Sequence, residues 1–267
     1  MAEISASLVK ELREKTGAGM MDCKRALQET NGDMDAATVI LREKGMAQVA
    51  KRAGRATTEG KVGYRLADDG SKGTMVAVGC ETEPVSGSAE FLAFAKKVLE
   101  VVDANGVGAE SELEDERVEL SVKLGENIAV VGGARFEAVN GAKIHAYAHP
   151  PANKFGSLLQ MRGGDDDLGR KVAMHIVSMR PRFIGREDVP EDLVASEREI
   201  FANSDEVQSK PEQAREKIVD GMLNKRFFGA NVLVDQEWIY DSSQTVGQTL
   251  KAAGAEVLEF ELFVLAG

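Results

Sequence analysis

The sequence contains few of the residues that build disulfide scaffolds, metal centres or aromatic cores. Its 267 residues include two cysteines and three histidines, and only 5% are aromatic. Cys23 and Cys80 do not suggest a disulfide scaffold, and two cysteines cannot form a metal site by themselves. We therefore expect no cofactor and no metal ion, and a core packed mainly with Ala, Val, Leu and Met.

Long apolar runs are also missing. No stretch approaches the ~20 consecutive apolar residues of a membrane span, and the first residues, Met-Ala-Glu-Ile, contain no apolar segment typical of a signal peptide. A cytoplasmic protein without a membrane partner is the expectation. The formal net charge is −11, and residues 1–55 are mildly basic, so the rest of the chain is strongly acidic. An acidic body repels phosphate backbones, which argues against direct nucleic-acid binding.

Sequence motifs of catalysis are absent. The chain has no Walker loop, no Gly-x-Gly-x-x-Gly after a strand and no His-Glu-x-x-His. Cys80 and His175 could form a nucleophile pair, but Cys80 lies in an apolar strand and His175 on an apolar helix face, which favours packed side chains. His145 and His149 have no third ligand nearby in sequence, so they do not predict a metal site. The residues favour a binding protein over an enzyme.

The strongest pattern that is present is a strand, a turn and a helix around residues 74–102. The stretch 74–85 begins as an apolar, Val-rich segment, which predicts a buried strand. Pro84 cannot donate to a strand ladder, so the strand is expected to end before it and a loop to follow. Ser88 is expected to cap the next helix, whose apolar face runs from Phe91 to Val102.

The same order of elements returns in the second half of the chain. Residues 156–161 predict a strand, and residues 165–167 open a helix with a similar apolar spacing. Four positions of the two helices match: Leu168 with Phe91, Val172 with Ala95, His175 with Val98, and Met179 with Val102. We interpret this as a weak internal duplication, with two related α+β subdomains side by side.

Residues 1–55 predict three short helices, the third ending near Gly45 before a basic connector. Residues 58–82 predict a hairpin that turns at Asp68-Asp69-Gly70. Asn140-Gly141, a strong hairpin signal, predicts that the strand 128–139 pairs with the strand 143–149.

The segment 189–227 predicts an antiparallel helical hairpin that protrudes from the sheet. Leu193, Ile200 and Val207 are spaced at heptad intervals, and Pro211 separates them from a return helix. Residues 243–253 predict a helix, and residues 257–264 predict a strand that returns to the sheet.

Residues 8–27 carry a specific resemblance. The stretch Leu-Val-Lys-Glu-Leu-Arg-Glu-Lys-Thr-Gly-Ala-Gly-Met-Met-Asp-Cys-Lys-Arg-Ala-Leu is very similar to the N-terminal signature of the bacterial elongation factor Ts family. Shorter stretches at 80–82, 173–176, 184–190 and 245–248 resemble that family in the same order. The resemblance implies an α+β fold in which a UBA-like three-helix domain (1–55) precedes two core subdomains (56–140 and 141–267). The second subdomain would carry an inserted antiparallel coiled-coil hairpin at about 189–227.

The resemblance also implies a function. Members of the family are guanine-nucleotide exchange factors that bind elongation factor Tu and promote release of its GDP. By position, the loop that reaches the partner's Mg²⁺ site is Thr82, Glu83, Pro84 and Val85. Further partner-binding residues implied by position are Leu12, Met20, Met21 and His175.

The loop departs from the family's pattern at two positions. Glu83 stands where Asp is usual, and Pro84 stands where a wedge-like Phe is usual. Exchange is therefore expected to depend more on Glu83, on His175 and on the N-terminal helices. The altered loop, with an expected absence of the family's further C-terminal helical module, also leaves an alternative open: a divergent protein that sequesters or stabilises Tu without efficient exchange.

Overall fold

The computed structural model describes residues 4–265. The helices are α1 (Ala6–Thr16), α2 (Met20–Glu29), α3 (Met34–Arg52), α4 (Glu83–Ser86), α5 (Ala89–Asn105), α6 (Glu114–Leu124), α7 (Asp166–Met179), α8 (Glu191–Ala202), α9 (Asp205–Gln208), α10 (Glu212–Met222), α11 (Gly229–Asn231) and α12 (Val246–Ala252). The strands are β1 (Glu59–Leu66), β2 (Lys72–Cys80), β3 (Ala129–Glu137), β4 (Ala142–Ala148), β5 (Phe155–Arg162), β6 (Glu237–Trp238), β7 (Asp241–Thr245) and β8 (Glu256–Val264). None of the helices between residues 4 and 265 is long and apolar enough to cross a membrane.

The first three helices form a unit with its own core. The Ser5 hydroxyl accepts a hydrogen bond from the Leu8 amide, and the Asp33 carboxylate accepts from two amides at the start of α3, so both helices have side-chain caps. The buried side chains of this unit are Val9, Leu12, Cys23, Ala26, Leu27, Ala37 and Leu41. The prediction of three helices is confirmed.

The third helix is longer than predicted, because α3 continues through Gly45 to Arg52. Gly45 is buried against α6, and a Cβ at this position would lie 2.8 Å from Cγ2 of Val122. Glycine here permits a close contact between two helices and does not end the helix. The basic connector is therefore mostly helical, and Gly45 places the three-helix unit against α6.

Two three-stranded antiparallel sheets form the centre of the chain. In the first sheet β2 lies between β1 and β3, and in the second β5 lies between β4 and β8. The helix α5 follows β2 and packs on the first sheet, whereas α7 follows β5 and packs on the second. Both sheets thus have the same strand order, with a helix after the central strand. An α+β fold of antiparallel sheets and helices is confirmed.

The two sheets pack face to face, with α5 and α7 on the outer sides. Met75 and Ala77 of β2 belong to the cluster between the sheets, which also contains Leu158 of β5. The alternating residues Val76 and Val78 belong to the cluster beneath α5. Because both faces of β2 are buried, its sequence is a continuous apolar run without alternation.

The turn at Asn140-Gly141 does not form the predicted hairpin. β3 pairs with β2 and β4 pairs with β5, so the chain passes from one sheet to the other at this turn. Both residues adopt the left-handed backbone that the dipeptide favours, with φ of 51° and 76°. The local signal predicts the turn correctly, but the partners of the flanking strands are set by the two-layer core.

Several helices are inserted between α7 and β8. The antiparallel helices α8 and α10 contact each other, and an ion pair joins Nη2 of Arg198 to Oδ1 of Asp220 at 2.7 Å. Val207 is buried, but Ile200 is 57% exposed. The heptad-spaced residues therefore do not form one continuous buried seam.

The helix predicted at 243–253 begins three residues later, at Val246. Residues 241–245 form β7, which pairs with β6. The Thr245 hydroxyl accepts from the Gln248 amide, and the Gln248 side chain accepts from the Thr245 amide, which forms a capping box. The strand that follows, β8, pairs with β5 as predicted.

Candidate protein-binding surfaces

The segment after β2 is a single helical turn, whereas the sequence predicted a loop. Glu83–Ser86 forms α4, with Pro84 in its first turn. Proline is favoured at this position because its fixed φ suits a helix. The N–H that proline lacks would have no partner within the helix in the first turn. Thr82, Glu83 and Pro84 are exposed, while Val85 is half-buried against the cluster beneath α5. Three of the four predicted contact residues are thus accessible.

Reciprocal hydrogen bonds join this turn to the segment before β3. The Glu81 carboxylate accepts from the Asn127 amide at 2.7 Å and from Nη1 of Arg55 at 3.1 Å. The Glu126 carboxylate accepts from the Glu81 and Thr82 amides at 3.1 and 3.0 Å. The Asn127 amide is the main cause that lowers the pKa of Glu81. The sequence gives no signal for Glu126, because this residue lies far from the turn along the chain.

Cys80 is fully buried at the end of β2 and does not meet His175. Its thiol donates to the Thr82 carbonyl, with 3.3 Å between sulfur and oxygen, while His175 is hydrogen-bonded to Gln236. Burial, assisted by the negative charge of Glu126, raises the pKa of Cys80 to about 12. The hypothesis of a Cys80–His175 nucleophile pair gains no support from this geometry.

Both thiols are expected to resist alkylation in the native protein. Cys23 is also fully buried, and burial raises its pKa above the ordinary value. The thiolate fraction of Cys80 should be lower than that of a free cysteine by roughly a thousandfold, since each pKa unit is a factor of ten. Mass spectrometry after iodoacetamide treatment should find no adduct until denaturant is added. Rapid modification of Cys80 in the folded protein would contradict its placement.

His175 lies inside the second subdomain, beneath its surface. Its side chain is fully buried, and its ring stacks on Trp238 with 5.3 Å between centroids. Nε2–H donates to Oε1 of Gln236 at 2.9 Å, and the Gln236 amide donates to the carbonyls of Met179 and Ala230. Burial lowers the pKa of His175, and the bond to Gln236 opposes this only in part. A neutral, packed histidine is the result.

The N-terminal unit presents an apolar surface at the start of α2. Met20 and Met21 are 48% and 64% exposed, although both side chains are large and apolar. Leu12, which the sequence groups with them, is fully buried in the core of the three helices. Leu12 is therefore a core residue of the three helices, and of the three predicted residues only the two methionines are exposed.

Metal ligands do not gather in the described part of the chain. Among residues 4–265, no group of three or more His, Cys, Asp or Glu side chains could hold a metal ion. His145 packs on Gly169 of α7, where an added Cβ would meet its ring, and His149 is hydrogen-bonded to the Tyr147 hydroxyl. His145 is thus a packed, buried side chain, whereas His149 is exposed.

The three-helix unit and the two packed sheets define a modular α+β protein, in which the turn after β2 and the start of α2 are separate, exposed candidate contact surfaces. Residues 81–266 match the family model described as Elongation factor TS. The chain belongs to the elongation factor Ts family.

Relatives from several bacteria carry the name Elongation factor Ts. The protein of Thioalkalivibrio sulfidiphilus is 41% identical over 267 residues, which cover 96% of this chain and 90% of that protein. The protein of Teredinibacter turnerae is 42% identical, with 97% and 90% covered, and that of Escherichia coli is 40% identical, with 98% and 92% covered. These comparisons confirm the resemblance and the predicted function, a nucleotide exchange factor of translation elongation. They give no support to the alternative of a binding protein without exchange.

Proposed function

We propose that this chain binds elongation factor Tu in the cytoplasm and accelerates release of its GDP, without covalent chemistry of its own. The observation that carries the proposal is the exposed helical turn at the end of β2. Thr82, Glu83 and Pro84 project there from a central strand whose two faces are both buried. A short turn fixed to such a rigid strand can displace groups of a neighbouring protein without being deformed itself.

Acceleration of release follows from a coupling free energy between two ligands of the partner. If the exchange factor weakens GDP binding by some factor, GDP weakens binding of the exchange factor equally. GDP and its Mg²⁺ are held in such sites by preorganised amides and side chains, so a small displacement of these groups loosens the nucleotide. To accelerate release, this chain needs only to bind the nucleotide-free state of the partner more tightly than the GDP-bound state.

Different parts of the chain would contact different parts of the partner. We assign residues 1–55 as a UBA-like domain that docks on the nucleotide domain through Met20 and Met21. The turn of Thr82, Glu83, Pro84 and Val85, in the subdomain 56–140, would reach the Mg²⁺ site. The helical insertion at about 189–227, proposed as a coiled-coil arm of the subdomain 141–267, would reach the other domains.

His175 would act indirectly, by supporting an exposed surface that neighbouring residues form. Its ring stacks on Trp238, whose indole lies 5.1 Å from the exposed Tyr240 ring. Ile239 and Tyr240 are 40% and 46% exposed, and Met179 is 39% exposed. This apolar patch is continuous with the buried histidine, so His175 can influence partner contact through the patch.

The test is release of fluorescently labelled GDP from elongation factor Tu, followed by stopped flow. The wild-type chain should raise the release rate, and a wild-type rate equal to that of Tu alone would refute the exchange function. Glu83→Asp combined with Pro84→Phe should raise the rate further, because an aromatic side chain can enter a pocket that proline cannot fill. An unchanged rate for this variant would remove the turn from the mechanism and leave the other surfaces to account for exchange.

A further inference from the structure

The side chain of Glu126, which lies outside the helical turn, is hydrogen-bonded to the two residues that lead into the turn. Oε2 of Glu126 accepts hydrogen bonds from two successive amides, those of Glu81 at 3.1 Å and Thr82 at 3.0 Å. Oε1 of the same carboxylate accepts from the Thr82 hydroxyl. One carboxylate thus binds three donors at the point where β2 ends and α4 begins.

The turn cannot fix its own orientation. α4 has only four residues, and the Thr82 hydroxyl donates to Glu126 and accepts from no amide of the turn. A helix of one turn has no intrinsic stability, since nucleation costs more than one hydrogen bond returns. Val85 and Ser86 anchor the end of the turn by packing, so the start depends on outside contacts.

Glu126 is itself held in place by its neighbours. It follows Gly125, which ends α6 with a left-handed φ of 74°. The next residue, Asn127, is 5% exposed; its amide donates to the Glu81 carboxylate and its side chain donates to the Arg55 carbonyl at 2.9 Å. Glu126 and Glu81 therefore bind each other's segment reciprocally, which gives a rigid support.

We propose that Glu126 is a positioning residue for nucleotide exchange, because its carboxylate sets the orientation in which Thr82, Glu83 and Pro84 meet the partner. The inference rests on the proposed exchange function, but it assigns a role to a residue that does not itself touch the partner. Glu126 is only half-exposed and its carboxylate oxygens face the turn.

The decisive comparison is between Glu126→Ala and Glu126→Gln. Alanine removes all three bonds, and we expect the limiting rate of GDP release from Tu to fall by about tenfold. The half-saturating concentration should change little, because the other surfaces still bind. The Gln oxygen can accept from both amides while its amide donates to the Thr82 hydroxyl, so E126Q should stay within about threefold of the wild type. A loss in E126Q as large as in E126A would show that the negative charge acts directly, and would overturn the positioning role.

Two controls separate positioning from general damage. Glu119, an exposed residue of α6, supplies the matched substitution Glu119→Ala, which should leave release unchanged. In a chain that already carries Glu83→Ala and Pro84→Ala, E126A should have almost no further effect, because its influence passes through the turn. An undiminished tenfold loss in that background would contradict the proposal.

A measurement on the free protein keeps the inference separate from the exchange function. Hydrogen–deuterium exchange of the peptide that contains residues 81–87 should accelerate in E126A and stay near the wild-type rate in E126Q. Faster exchange without any change in GDP release would show that the turn is held by Glu126 but is not used, which refutes positioning for exchange. If the wild-type chain does not accelerate GDP release at all, the exchange function fails, and the amide exchange still reports whether Glu126 holds the turn.

Discussion

Replacing both Met20 and Met21 with glutamate is expected to weaken binding to elongation factor Tu by roughly a hundredfold, about 2.7 kcal/mol, without destabilising the fold. The two side chains are 48% and 64% exposed, and they are flexible apolar groups suited to filling pockets on another protein. Glutamate at these positions would place two charges in the proposed interface with Tu, which would lose its water on binding. Calorimetric titration of nucleotide-free Tu measures the effect.

The stability of this variant is expected to match or slightly exceed that of the wild type. Met20 and Met21 are the first residues of α2, whose N-cap Gly19 offers no side-chain cap. Carboxylates in a first turn interact favourably with the helix dipole by ~0.3–1 kcal/mol, although Asp22 already supplies one such charge. A binding loss with an unchanged unfolding midpoint therefore separates a contact surface from a structural defect.

A matched control is available within the same three-helix unit. Val39 of α3 is 56% exposed, and Val39→Glu places one such charge on a different helix of the unit. This variant should bind nearly as well as the wild type. If V39E weakens binding as much as the double substitution, the assignment of the surface to the start of α2 is wrong.

Structural features that depend on local chemistry lie where the sequence predicts them. The Ser88 cap, the Asp68-Asp69-Gly70 turn and the apolar period of α5 lie where they were predicted, because each depends on residues within a few positions. The hairpin predicted at Asn140-Gly141 is wrong: the turn is present, but its flanking strands β3 and β4 pair with β2 and β5. Which strand pairs with which is decided by burial across the whole core, and a dipeptide carries no such information.

Some features of the candidate site can likewise be predicted from the sequence, whereas others depend on the fold. The position of the turn follows from the apolar run of β2 and from Pro84, both visible in the sequence. The role of Glu126 was not visible, because a carboxylate beside a helix-ending glycine resembles any solvated residue until the fold brings it to Thr82. His175 was correctly placed on an apolar helix face, but only the packing of Trp238 and Gln236 shows that this face is closed.

His175→Ala is expected to lower the free energy of unfolding by about 3 kcal/mol or more. Removal of a fully buried ring leaves a cavity beside Trp238. It also leaves Oε1 of Gln236 buried without the donor that it has now. Urea titration monitored by Trp238 fluorescence measures the loss. His175→Gln, whose amide can approach the position of Nε2, should lose less than half as much.

The two variants decide how His175 influences the partner. If the side chain only supports the patch of Ile239 and Tyr240, binding to Tu should follow stability, with H175Q binding better than H175A. A variant that folds as stably as the wild type yet loses affinity would show that the imidazole itself contacts the partner in the complex. That outcome would require the region around Trp238 to open on binding, because the ring is fully buried in the free chain.

The pH dependence of stability provides an independent measure of the same burial. Burial lowers the folded-state pKa of His175, with the Gln236 bond opposing, and burial likewise lowers that of His145. Below the ordinary histidine pKa of about 6.5, the unfolded chain therefore binds more protons than the folded chain. The contribution of these histidines to the free energy of unfolding is complete above that pH and is lost as the pH falls toward their folded-state pKa values. Urea midpoints should decrease between about pH 7.5 and about pH 5.5. The decrease should be smaller in H175Q but should not vanish, because His145 still titrates. An identical dependence of the urea midpoint on pH in wild type and H175Q would contradict a neutral His175 in the folded core.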